Sequence, residues 1–308
     1  MIIVRIMPYA GLGNQMFMYA AGLSAATRLN TELRLGAWNF NVYSSLDRPY
    51  SLSCFPAITE ENATFSETWR ISPKIAMIMF ISGKKRIRRR YIFRFLLREA
   101  VRKFVSNEGI YSPRYYSYSP EFESISDNTY ISGFWESEKI FSGIKDKIRT
   151  KFTFGQEYFD PQLSAKIRGC NSVAFHVRRG DKTNSQGFFA SDCHYLKDAM
   201  TRILSLTDKP EFFVFSDDIE WCKINLPQIY DTEYTYIEGQ TPTQDMALMT
   251  QCRHVIISPS TFSWWGAWLN NNPGKIIIAP DINLWYWNGT YDPDDRKHLL
   301  PPEWIKIR

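Results

Sequence analysis

Cysteine is scarce in this chain. Five residues, Cys54, Cys170, Cys193, Cys222 and Cys252, form no CxxC pair and no Cys/His cluster at metal-ligand spacing, which argues against a zinc site and a disulfide framework. Long apolar runs are missing too. The longest uncharged one, Ile75 to Ile81, is far below membrane-span length, and the run from Met1 meets Pro8 too soon to form a signal-peptide core. The resulting expectation is a cytoplasmic, non-spanning protein, in which the Asn-X-Thr sequons starting at Asn62 and Asn288 have no role. Repeats and low-complexity tracts are absent. The formal charge is only +5, and basic residues are not spread along the presumed sheet face, so no nucleic-acid partner is expected. After Gly11 and Gly13, Met16 stands where a dinucleotide fingerprint needs a third Gly or Ala, which argues against an ordinary NAD site.

Aromatic residues, by contrast, are abundant at 16%, with ten Trp, a surplus that suits either a sugar-handling surface or two well-filled cores. Positive charge is concentrated between Lys84 and Lys103. That segment interleaves Lys84, Lys85, Arg86, Arg88, Arg89, Arg90, Arg94, Arg98, Arg102 and Lys103 with apolar residues and only one acid, Glu99. It reads as a basic amphipathic helix for peripheral contact with an anionic membrane, or as a solvated helix packed on the protein.

A length of 308 residues suits two domains. The chain opens as strand Ile2 to Ile6, a turn at Gly11 and Gly13, and a helix Gln15 to Leu29, with further strands near Glu32 to Leu35 and Thr129 to Ser132. From Ser172 the alternation is cleaner. Strands are predicted near Ser172 to Val177, Glu211 to Phe215, Tyr234 to Ile237, His254 to Ile257 and Lys275 to Ala279, most of them separated by helices. This pattern predicts an α/β fold with a mostly parallel, doubly wound sheet. Tyr195, Leu196, Ala199, Met200, Ile203 and Leu204 form one helical stripe. Thr241-Pro242-Thr243-Gln244 is a capping box that places Asp245 in a helix's first turn. The domains are expected at 1–155 and 156–308, with a Trp-rich tail from Asn283 to Ile307 wrapping back over the body and onto the N-terminal domain.

Ligands of such sheets gather where strands end. Alternation puts His176 and Arg178 on one face of a strand end and Arg179 on the other, followed by Gly180 and Asp181. The planar fork of Arg178 suits phosphate oxygens, although an Arg-Arg-Gly-Asp run also serves as a surface turn. Ser260, Thr261 and Phe262 open a helix whose N-terminus could hold a diphosphate without a metal, or Ser260 could simply cap it. Ser216, Asp217 and Asp218 could cap a helix, bind a ribose or chelate Mg²⁺.

Taken together, these strings resemble the α-1,2-fucosyltransferases of bacteria and of the mammalian blood-group H enzymes. The matching stretches are Gly11 to Phe17, Gly133 to Lys139, His176 to Asp181, Asp245 to Cys252 and Ser260 to Leu269, in the family's order. The resemblance implies a GT-B architecture of two Rossmann-like domains facing a cleft, with the acceptor on the N-terminal one and GDP-L-fucose on the C-terminal one, and inversion at the anomeric carbon. It implies that Arg178 grips the β-phosphate, that Ser260 to Phe262 meet the diphosphate, that Asp245 meets the guanine edge, that His176 lies beside the nucleotide, and that Asn14 and Gln15 reach across the cleft. Ser216 and Asp217 join the donor-side candidates. The acceptor would be a galactose-terminated glycan. The base is open among Asp181, Glu136 and Asp192, and no metal or other cofactor is expected. Lys182, Glu136 and Pro259 stand where Tyr, Gln and Asn are usual. Lys182 also makes the central run similar to α-1,6-fucosyltransferases, which leaves the linkage open, and a GDP-mannose-type donor is the alternative substrate.

Overall fold

The computed structural model describes residues 1–38, 48–83, 110–111, 117–179, 193–226, 232–285 and 296–308. The basic segment Lys84 to Lys103, as well as Asp181, Lys182, Asp192 and the Asn288 sequon, lies outside these residues. The chain divides into two compact units, Met1–Lys151 and Phe152–Arg308.

The first unit is built on parallel strands β1 (Ile2–Arg5), β2 (Leu33–Gly36), β3 (Ile110–Tyr111) and β4 (Thr129–Ile131), in the order β2-β1-β4-β3. Helix α1 (Leu12–Arg28) begins three residues earlier than its periodicity predicts. Gly11 is its N-cap, so Gly13 lies inside the first turn and not in a loop. Gly22 is the glycine that matters for packing. A Cβ there would come within 2.6 Å of Val4 Cβ and Cγ1, so only a bare backbone lets α1 lie this close to β1. Helices α2 (Phe65–Ile71) and α3 (Pro73–Gly83) follow, with Thr64 and Glu67 forming a capping box on α2. Ile75 of α3 packs with Ile3, Ala63 and Tyr130 in a core on the sheet's Ile3 face. Helix α4 (Lys145–Lys151) ends the unit.

The second unit opens with α5 (Pro161–Gly169), started by Asp160 accepting from Leu163 N and by Pro161 in the first turn. Strands β5 (Ser172–Val177), β6 (Glu211–Ser216), β7 (Tyr234–Tyr236), β8 (His254–Ile256), β9 (Ile277–Pro280) and β10 (Ile305–Ile307) form a parallel sheet in the order β10-β9-β8-β5-β6-β7. β5 is buried at every position, as its unbroken apolar run requires of a central parallel strand. The intervening helices are α6 (Cys193–Leu204), α7 (Ile219–Asn225), α8 (Pro242–Met249) and α9 (Thr261–Leu269). The predicted stripe on α6 is the buried one: Tyr195, Leu196, Ala199, Met200 and Ile203 pack with Val173, Phe175 and Val177 of β5.

The tail differs from expectation by containing β10, which pairs with β9 through Ile305 and Ile278. Trp264 Nε1 donates to Leu299 O at 2.8 Å and Trp304 packs against Trp264, anchoring the tail within this unit. Trp135, Trp264, Trp265, Trp268, Trp285 and Trp304 are all buried. Most of the aromatic surplus is therefore core filling and not an exposed sugar platform. No helix among the described residues is long and apolar enough to cross a membrane.

Candidate functional site

In the second unit the chain leaves β5 for β6 on one side and later returns to β8 on the other. The order therefore reverses between β5 and β8, and the carboxyl ends of these two strands flank the natural crevice of the sheet. His176 and Arg178 come from the end of β5, and Ser258 to Phe262 follow β8.

Ser258, which sequence reasoning did not single out, ties these ends together. Its hydroxyl donates to His176 O at 2.6 Å and accepts from Arg178 N at 2.9 Å, continuing the β5–β8 pairing through a side chain after the ladder stops. It is fully buried, so both partners depend on it. Only its place one residue beyond an apolar run would have flagged it. The His176 ring lies 5.5 Å from that of Phe262, tilted by 32°, and is itself nearly buried. Ser260 caps α9 by accepting from Phe262 N at 3.3 Å, and Ser263 Oγ donates to Ser258 O, which fixes the turn around Pro259. Thr261 is the first residue of α9. The structure thus assembles His176, Arg178, Ser260, Thr261 and Phe262 around one strand-end turn.

The two arginines take different partners. Arg178 Nη1 meets Asp217 Oδ2 at 3.0 Å, whereas Arg179 Nε meets Asp218 Oδ2 at 3.3 Å and its guanidinium lies 3.9 Å over the Trp221 ring. Every oxygen of the acidic pair is engaged: Asp217 Oδ1 accepts from Arg179 N and Asp218 Oδ1 accepts from Trp221 N, capping α7. Ser216 Oγ accepts from Asp218 N at 3.0 Å. Asp217 and Ser216 thus organise the arginines and the cap.

Asp245 sits in the first turn of α8 behind the predicted capping box, in which Gln244 Oε1 accepts from Thr241 N at 2.9 Å. α8 packs tightly on α9, since a Cβ at Gly266 would meet Met249 Cε at 3.1 Å. Oδ1 of Asp245 is buried with no hydrogen-bond partner among the described residues, and burial pushes the carboxyl up to about 7. A desolvated carboxylate with an unused oxygen is a poor structural element and a good receptor for N–H donors.

In the first unit Gln15 is fully buried. Its Nε2 donates to Ala10 O at 2.8 Å and to Pro49 O at 2.9 Å, and its Oε1 accepts from Ser51 N at 2.9 Å, so the amide braces the segment beginning at Arg48. Asn14 lies in the first turn of α1. Glu136 is buried beside Trp135, whose φ of 60° is rarely adopted by so bulky a residue.

A family model, Glycosyl transferase family 11, matches residues 90–308. An alpha-1,2-colitosyltransferase of Escherichia coli is 31% identical over 96% of both chains. The O-antigen biosynthesis glycosyltransferase WbnK, also of Escherichia coli, is 26% identical over 96% of this chain and 98% of its own. Human galactoside alpha-(1,2)-fucosyltransferase 1 is 32% identical over 58% of this chain and 52% of its own. Among solved structures, the NodZ alpha-1,6-fucosyltransferase soaked with GDP-fucose superposes with a TM-score of 0.51 at 17% identity, covering 92% of this chain and 95% of that one. The fold is thereby the α/β, GT-B type.

Proposed function

This chain belongs to glycosyl transferase family 11, and on that premise we propose that it is an inverting transferase moving L-fucose from GDP-L-fucose to the 2-OH of a terminal galactose on an oligosaccharide or surface-glycan precursor. The observation that carries the donor assignment is Asp245, whose buried and unpartnered Oδ1 suits the N1–H and N2–H₂ edge of guanine. Adenine and uracil do not offer that pair of donors.

The departing GDP gains negative charge as the glycosidic bond breaks. Arg178 at the end of β5 and the N-terminus of α9 are the groups that would stabilise it. Ser258 sets the backbone from which Arg178 projects, and Asp217 holds the guanidinium before the donor arrives. A metal is not needed in this scheme, because the four oxygens of Asp217 and Asp218 are already engaged by protein groups. Of the candidate bases, Glu136 is buried in the first unit, and Asp181 and Asp192 lie outside the described residues. A cytoplasmic location, with Lys84 to Lys103 resting on anionic lipid, belongs to the same proposal.

The alternative favoured by a specific observation is transfer of colitose, the 3-deoxy counterpart of L-fucose, since the relative aligned over 96% of both chains carries that name. Both donors would use the same guanine and diphosphate contacts. Purified protein incubated with GDP-L-fucose, GDP-colitose or GDP-mannose and a terminal-galactose oligosaccharide decides between them, with the new bond located by NMR. Transfer from GDP-L-fucose to the galactose 2-OH is expected. A product at another hydroxyl, or turnover of GDP-mannose alone, refutes the reading.

A further inference from the structure

The first unit has a strand-order reversal of its own, between β1 and β4, and at its carboxyl edge a buried guanidinium N–H and a phenol O–H lie beside an indole without an acceptor for their protons among the described residues. Arg5 is the last residue of β1 and shares the sheet face of Ile3, which is paired with Tyr130 of β4. The Tyr130 hydroxyl reaches over the neighbouring pair Arg5 and Gly36, within 3.1 Å of where a Cβ on Gly36 would stand. Trp38, two residues beyond β2, packs against the same cluster. Arg5 Nε, Trp38 Nε1 and Tyr130 OH are all buried, and among the described residues only the Trp38 indole and the Tyr130 hydroxyl face each other, without a well-formed hydrogen bond. Arg5 has no ion pair there either.

Chance neglect does not account for this arrangement. Buried donors are almost always paired, and here the Arg5 Nε proton and the Tyr130 phenol proton lie unpaired beside each other, at the edge where parallel sheets take ligands. Glycine at 36 keeps the space above the Arg5 pair open, since a side chain there would press on the Tyr130 hydroxyl and on Val4 O at 3.3 Å. Even if the Trp38 indole turned its N–H onto the phenol oxygen, the phenol proton and the Arg5 Nε proton would still lack an acceptor. A single water would supply lone pairs but would leave the guanidinium without a counter-charge. A carboxylate or phosphate oxygen satisfies both demands. Arg5 and Trp38 are only half-buried, which leaves a way in from solvent.

We infer that Arg5, Trp38 and Tyr130 form an oxyanion subsite on the first unit, which takes a carboxylate or phosphate carried by the acceptor glycan. The acceptor role rests on the transferase reading above, whereas the anion site itself does not. Two measurements keep them apart. In the first, methyl glucuronide, methyl glucoside and inorganic phosphate are titrated against the full-length protein, followed by NMR of Trp and Arg side chains. Methyl glucuronide or phosphate should bind and perturb the Trp38 indole and Arg5 Nε signals, while methyl glucoside should not, and Arg5→Gln should abolish the response. In the second, terminal-galactose acceptors that are neutral, uronate-bearing or phosphorylated are compared by kcat/KM. At least a tenfold preference for an anionic acceptor is expected, expressed in KM and lost in Arg5→Gln. The anionic acceptor preferred identifies the source of the oxyanion. GDP affinity and melting temperature serve as controls for folding. Absence of anion binding in the first measurement overturns the site, whatever the second shows. Anion binding without acceptor preference overturns the acceptor role. A lower melting temperature in Arg5→Gln with unchanged anion response would mean that the cluster holds a structural water only, and would also overturn the site.

Discussion

Replacing Asp245 by Asn should have opposite effects on stability and on nucleotide binding. In the folded protein burial raises the Asp245 carboxyl to about 7, while in the unfolded chain it titrates near the ordinary value of about 4. Between these values the native state holds the extra proton, so stability falls as pH rises from about 4 to about 7 and levels off above that. A difference of about 3 units corresponds to roughly 4 kcal/mol at most, and partial solvation reduces it to about 2–4 kcal/mol. Asn cannot ionise. The Asn variant should therefore be more stable than the parent at pH 8 by this order and nearly equal to it at about pH 4 or below. Guanine recognition runs the other way. A carboxylate accepts from N1–H and N2–H₂ together, whereas the amide offers one acceptor and one donor, a loss of about 1.5–3 kcal/mol or roughly 10–150-fold in GDP affinity. Since the donors favour the ionised form, the parent's GDP affinity should also rise between pH 6 and 8, with the Asn variant as baseline for the nucleotide's own titration. Urea unfolding at about pH 4 and 8 and calorimetric titration of GDP measure both arms. If Asp245 only offsets the α8 dipole, the variant should melt slightly lower at pH 8 and bind GDP unchanged, and the argument fails.

Arg178→Lys keeps the charge but loses the planar fork, so turnover should fall at least tenfold with little change in melting temperature, and Arg178→Ala should nearly abolish it. Arg179→Ala loses the Asp218 pair and the stack on Trp221, so unfolding free energy should drop by about 1–2 kcal/mol with GDP affinity retained; loss of GDP affinity confined to Arg179→Ala would reverse the facing of β5. Gly22→Ala gains about 1 kcal/mol in helix propensity but drives a methyl to 2.6 Å from Val4, a clash that costs about 1–3 kcal/mol, so a net loss in chemical denaturation is expected. Dialysis against EDTA should leave transfer intact, and a loss restored by Mg²⁺ or Mn²⁺ would mean that Asp217 and Asp218 release their arginines to a cation.

The second unit was the more legible half of the sequence, and the reason is physical. Its inner strands β5 and β8 are buried at every position and read as mainly apolar runs, so Ser172 to Val177 matches β5 residue for residue. Thr241 and Gln244 were legible because a capping box is local chemistry, encoded within four residues. What escaped is non-local. Ser258 looks like any strand-end serine until β5 is beside β8, and nothing in Ile305-Lys306-Ile307 announces a strand without β9 to receive it. The Arg5 cluster joins residues from three strand ends separated by more than a hundred positions. Gly11 and Gly13 misled for the opposite reason: a glycine pair suggests a loop, and here the first glycine caps α1 while the second is already helical.

β10 bears on how the chain is made. Until Ile305–Ile307 arrives, β9 is an outer strand of a parallel sheet with its pairing groups open, and strands β8 and β5 lie only one and two places further in. Translation delivers this covering strand after every other part of the second unit, at about 5–20 residues per second. For that interval a nascent chain long enough to hold the proposed nucleotide-binding residues still offers a free ladder to its neighbours on the same message. Expression of a chain cut before Ile305 should therefore give self-associated material even where its strands have formed.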